Sequence, residues 1–83
     1  MTDQTKLEAD SVLDARGLLC PMPVLKAAKA MRDLEAGQVL KLLSTDRGSL
    51  ADVPAWADDT GNELLATCEE DGAFTFYLRK GEE

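Results

Sequence analysis

Histidine is absent from this chain of 83 residues, and cysteine occurs only twice, at Cys20 and Cys68. The two cysteines form no Cys-x-x-Cys pair. Tetrahedral zinc sites draw on clustered cysteine and histidine, so no metal site is expected. A Cys–His catalytic dyad is excluded for want of histidine. Two cysteines also fall short of the disulfide framework of a small secreted domain. Long apolar runs are missing too: the longest, Gly17 to Leu25, is too short to span a bilayer. Positive charge is in deficit, with nine Lys and Arg against sixteen Asp and Glu and a formal net charge of −7. That balance argues against direct nucleic-acid binding. It suits solubility and a basic protein partner. The opening Met1-Thr2-Asp3-Gln4-Thr5-Lys6 is polar and acidic, unlike a signal peptide. A reduced, cytoplasmic setting without membrane attachment is expected.

What is present is enough for one small domain with a single core, the apolar share being 45%. Residues 1–10 carry no periodicity and are expected to be a flexible tail, with the domain over 11–80. Ser11 to Asp14 reads as a short strand. A helix is predicted from about Pro21 to Leu34, with Val24, Ala27, Ala28, Met31 and Leu34 on one face and Gly37 ending it. Gln38 to Ser44 is apolar on both faces, as in a central strand. Ser49-Leu50-Ala51-Asp52 has the spacing of a capping box and opens a second helix running to about Thr60, with Pro54 near the end of its first turn and Gly61 closing it. Two final strands, Glu63 to Glu69 and Ala73 to Arg79, make a hairpin.

Parity sets the expected length of that hairpin loop. Leu64, Ala66 and Cys68 share one face, as do Phe74, Phe76 and Leu78. A two-residue Asp71-Gly72 turn opposes Phe74 to Glu69, whereas a three-residue loop opposes Cys68 to Phe74. The three-residue loop is therefore expected, with Cys68 in the core. The order β-α-β-α-β-β then gives an α+β fold. It is a two-layer α/β sandwich, with a mixed four-stranded sheet and both helices on one face. Reactive groups in such sheets gather at the carboxyl ends of the parallel strands, where Cys20 and Asp46 both belong.

Around Cys20 the residues are Arg16-Gly17-Leu18-Leu19-Cys20-Pro21-Met22-Pro23-Val24. Proline suits the first turn of a helix, whose amides lack intrahelical partners. Pro21 and Pro23 leave the amides of Met22 and Val24 free to point at the thiol. The positive end of the helix favours a thiolate, below the usual thiol pKa of about 8.5. Cys20 thus reads as an exposed nucleophile, because a core cysteine does not call for two helix-start prolines. Arg16 either adds positive potential there or is a solvated arginine. Asp46 and Asp52 read as turn and helix caps rather than acids. Lys26, Lys29 and Arg32 form a basic stripe, either a solvated face or a dock for an acidic partner surface. Trp56 reads as core or rim packing.

Leu13-Asp14-x-x-Gly17-Leu18-x-Cys20-Pro21-x-Pro23, then Asp46, Asp52-Val53-Pro54 with Trp56, and Gly61-Asn62-Glu63-Leu64 resemble the TusA/SirA/YedF sulfur-carrier family over residues 12–80. One departure is Asn62, where relatives commonly carry histidine. The resemblance implies the same β-α-β-α-β-β fold and a persulfide on Cys20, with no other cofactor. It implies a cysteine desulfurase or rhodanese-like sulfur donor and an acceptor protein's cysteine. The sulfur would serve tRNA 2-thiouridine synthesis, molybdenum cofactor supply or oxidation of reduced sulfur compounds. Such a protein is a sulfurtransferase of carrier type, and a monomer is expected. Two other readings stand beside it: a thiol-redox protein with a Cys20–Cys68 disulfide, and a non-catalytic regulatory or interaction module.

Overall fold

The structure, a computed structural model, describes residues 9–19 and 21–81. Its elements are β1 (Ser11–Asp14), α1 (Met22–Arg32), β2 (Val39–Ser44), α2 (Ser49–Thr60), β3 (Glu63–Glu70) and β4 (Ala73–Arg79). The sheet order is β1-β2-β4-β3, with β1 parallel to β2 and the other pairs antiparallel. The apolar β2 is interior, as its two-sided hydrophobicity requires.

The core lies between the sheet and the two helices. Leu40 and Leu42 of β2 stand opposite Leu78 and Phe76 of β4, and all four are fully buried. Ala27 and Met31 of α1 and Val53 and Ala57 of α2 close over them. Small residues at three of those four helix positions let the helices approach closely. Burying each large side chain contributes roughly 1.5–3 kcal/mol. On the other sheet face the Lys41 ammonium lies 5.8 Å from the Tyr77 ring centroid, and Arg79 pairs with Glu63.

The hairpin departs from the parity expectation. Asp71 and Gly72 alone form the turn, with φ of 52° and 81°. This is the Asp-Gly turn whose twist matches that of the strands. Glu69 therefore faces Phe74 and Cys68 faces Thr75. Cys68 is an exposed, free thiol on the face away from the helices, not a core residue. Parity failed because the register is interrupted: a bulge between Leu64 and Ala66 brings Leu64 back opposite Leu78, against the core. Thr67 and Glu69, on the helix side of an edge strand, stay exposed.

Three smaller differences concern the helices. α1 ends at Arg32, and Gly37, at φ 90°, serves instead the turn closed by Gln38 N donating to Glu35 O. The capping box does not form: Gly48 is the N-cap, and the buried Ser49 hydroxyl meets Ser44 instead. Pro54 is the sixth residue of α2 and cannot donate to the Leu50 carbonyl. Gly61 closes α2 in the left-handed conformation, as expected.

Both ends of the described domain lie where β2 begins. Asp10 N donates to Val39 O and Val39 N to the Asp10 carboxylate, each at 2.8 Å. Lys80 exchanges backbone bonds with Gly37 and Gln38, and Gly81 N donates to Asn62 Oδ1.

Candidate functional site

At the opposite edge, β1 runs into the stretch that precedes Cys20. Ala15 is fully buried, and its amide donates to Leu43 O at 2.8 Å, extending the parallel pairing by one residue. The Arg16 guanidinium clamps the Asp14 carboxylate through two bonds of 2.8 Å, and its amide adds a third at 3.1 Å. Hydrogen bonding from Arg16 holds the Asp14 carboxyl down at about 2, and raises the pKa of the guanidinium in turn. Arg16 is thus half of an exposed neutral pair, which limits the positive potential it lends the loop.

Gly17 takes φ 87°, a conformation costly for any other residue. Its amide donates to Thr45 Oγ1 at 2.9 Å, across to the end of β2. Leu18 N turns back to Ala15 O, and Leu18 packs against the core, while Leu19 is 72% exposed. Cys20 itself, the residue on which the sequence reading turns, lies outside the described residues.

Beyond it, Pro21 is the N-cap of α1 and Pro23 sits fully buried in its first turn. The Met22 amide is not free as expected: it donates to Leu19 O at 2.9 Å. That bond uses the donor that the prolines had left available. Val24 packs half-buried on the core, and Met22 and Leu25 are exposed. Arg16 and Gly17 thus lie in the loop that follows β1, and 21–24 form the start of α1. Asp46 joins them at the same edge: its amide donates to Ser44 Oγ, and its carbonyl accepts from Ser49 N.

Sequence reasoning missed two features here. One is Thr45, whose hydroxyl ties the β1–α1 loop to β2. The other is an apolar surface. Of the five exposed large apolar side chains among the described residues, Leu19, Met22 and Leu25 flank position 20 in sequence, and Leu50 opens α2. The basic stripe is divided. Lys26 and Lys29 line a groove with Leu13, Ala30 and Asp33, whereas Arg32 lines another with Met31 and Trp56. Trp56 is rim packing, half-buried against the core.

The stretch leading up to position 20 and the helix start after it are each held by a fully buried residue, Ala15 and Pro23, while Leu19, Met22 and Leu25 stay exposed. Among the described residues no three His, Cys, Asp or Glu are grouped to hold a metal ion. No helix among them is long and apolar enough to cross a membrane.

A family model described as "Sulfurtransferase TusA" matches residues 11–80. The protein YrkF of Bacillus subtilis (strain 168) is 52% identical over 77 residues, which are 93% of this chain but 42% of that protein. The sulfur carrier protein TusA of Allochromatium vinosum is 48% identical over 71 residues, 86% of this chain and 93% of its own length. The crystal structure of the SirA-like protein from Desulfitobacterium hafniense superposes with a TM-score of 0.76 at 32% identity, covering 87% of this chain and 99% of that one. The family model spans the turn, the paired prolines and the strand ends described above, and by that match and its similarity to full-length TusA the chain belongs to the TusA family of sulfur carriers.

Proposed function

We propose that Cys20 carries sulfane sulfur as a persulfide between two other proteins. The Cys20 thiolate attacks the terminal sulfur of a donor persulfide, R–S–SH. A new S–S bond forms as the donor's S–S bond breaks, leaving Cys20–S–SH and the donor thiolate. An acceptor cysteine thiolate then takes the terminal sulfur by the same exchange and regenerates the Cys20 thiolate. No oxidant or reductant enters, and the persulfide is the only intermediate, without a bound cofactor. The exchange calls for the thiolate form, which a helix N-terminus favours over the neutral thiol.

The observation that carries this reading is the Cys-Pro-x-Pro start of α1 flanked by exposed Leu19, Met22 and Leu25. Apolar side chains left in water around a reactive residue suit transient docking by other proteins. Lys26 and Lys29, further along α1, favour partners with an acidic rim, whereas Arg32 belongs to a separate groove. The donor is a cysteine desulfurase or a rhodanese-like protein in the cytoplasm. The acceptor is a relay protein of tRNA 2-thiouridine synthesis, of molybdenum cofactor supply or of sulfur oxidation.

The test is intact-mass spectrometry after incubation with a cysteine desulfurase and cysteine, and in parallel with a rhodanese and thiosulfate. One reducible added sulfur is expected in the wild type and in Cys68→Ser, and none in Cys20→Ser. An adduct that survives Cys20→Ser, or no adduct with either donor, overturns the reading.

A further inference from the structure

The hydroxyl of Thr45 receives its bond from a residue 28 positions earlier, in the loop that leads into Cys20. Its own backbone is held on both sides. Ser44 and Ser49 are fully buried, with their hydroxyls 2.8 Å apart, so the end of β2 is pinned to the first residue of α2. Asp46 N donates to Ser44 Oγ at 3.2 Å, and Ser49 N donates to Asp46 O at 3.0 Å. Thr45 therefore projects from a fixed rail. Buried hydroxyls that satisfy one another in this way specify one local arrangement.

The loop it holds needs such a fixture. Beyond Ala15, whose amide bonds β2, Arg16 bonds back to Asp14 and Leu18 packs on the core, while Gly17 N to Thr45 Oγ1 is the hydrogen bond among the described residues that ties the turn across to the end of β2. Leu18 N and Met22 N bond only within the loop, to Ala15 O and Leu19 O. Gly17 at φ 87° is the point where the chain changes direction, and glycine has many alternatives to that conformation. Fixing its amide selects one of them and so sets the direction in which the chain leaves Gly17.

We infer that Thr45 is a positioning residue for sulfur transfer: by holding the Gly17 amide it sets the approach of the Cys20 sulfur to the donor persulfide. The inference rests on the proposed role of Cys20, but it is tested separately from that role. Thr45 is exposed, so water can take over the Gly17 amide when the hydroxyl is removed. The fold then survives, while the loop loses its fixed path. Displacing a reacting atom by about an ångström can cost up to about a hundredfold in rate.

The experiment compares Thr45→Val, which keeps the side-chain shape without the hydroxyl, with Thr45→Ser, which keeps the hydroxyl. Both are made in a Cys68→Ser background so that position 20 carries the sole thiol. Two rates are read: single-turnover sulfur uptake at saturating persulfidated desulfurase, and alkylation by iodoacetamide across pH 5–10. Thr45→Val is expected to slow uptake roughly tenfold at saturation. Its half-saturating donor concentration and thermal midpoint should stay near wild type, and its alkylation profile should shift. Thr45→Ser is expected to stay within about twofold of wild type in both rates. Wild-type rates in Thr45→Val overturn the inference, as does a Thr45→Ser variant equally slow, or a loss seen only in half-saturating concentration. If the unaltered protein accepts no sulfur at all, the carrier reading falls. The alkylation profiles then still decide whether Thr45 governs the thiol.

Discussion

At the scale of single residues, the Asp14–Arg16 clamp is the strongest electrostatic feature near the loop. The Asp14 carboxyl is lowered from 3.8 to about 2, first by the Arg16 side-chain hydrogen bond and then by the Arg16 amide. A carboxyl held below its unfolded value stabilises the fold at pH values above that value, and the contribution fades as pH falls through the folded one. The window lies between about pH 4 and pH 2, and exposure of both groups keeps the effect small and salt-sensitive. Carboxyl-detected NMR is expected to give an Asp14 midpoint near 2, returning toward 3.8 in Arg16→Ala. A midpoint unchanged by that substitution contradicts the clamp. Individual residues were unequally legible. The start of α1 stood out because helix-start chemistry is local: Pro21 and Pro23 announce it without knowledge of the fold. Thr45 did not, because its partner is chosen by strand pairing, and a threonine in a loop says nothing of an amide far back in the chain.

At the scale of elements, the hairpin shows how a local signal and a pattern signal can conflict. Asp71-Gly72 is the turn that local chemistry favours, and alternation along β3 pointed elsewhere. The bulge near Leu65 reconciles them, since one additional residue flips the phase and returns Leu64 to the core. Periodicity arguments assume an unbroken ladder, and a bulge carries no strong signature of its own. Gly72, at φ 81°, has no steric neighbour within 4 Å, so its requirement is conformational alone. Gly72→Ala is expected to destabilise by about 1–2 kcal/mol in denaturant unfolding, with sulfur uptake unchanged. A neutral result means the turn relaxes into another type. The helices were read within two residues at every boundary, because helix-start prolines, the Gly61 cap and apolar spacing act over a single turn. The capping box failed since Ser49 had a better partner in Ser44, which only the folded sheet brings near.

At the scale of the whole molecule, stability rests on one layer of side chains. A domain of this size is held by a margin toward the low end of roughly 5–15 kcal/mol. Phe76 is fully buried at the centre of the sheet, between Leu42 and Thr67 on the neighbouring strands. Phe76→Ala is expected to cost about 3–5 kcal/mol, leaving much of the protein unfolded at 37 °C, measured by circular dichroism melting. A loss below 1 kcal/mol contradicts this picture of the core. The architecture was legible from element order because two crossovers and a hairpin allow few arrangements.

The polarity of the sheet has one more consequence. Asp10 and Gly81 sit where β2 starts, and Gly17 sits past its far end, with six strand residues spanning roughly 20 Å between them. A label attached at position 10 or 81 therefore sits at the pole remote from the Gly17 loop and leaves the surroundings of that loop clear.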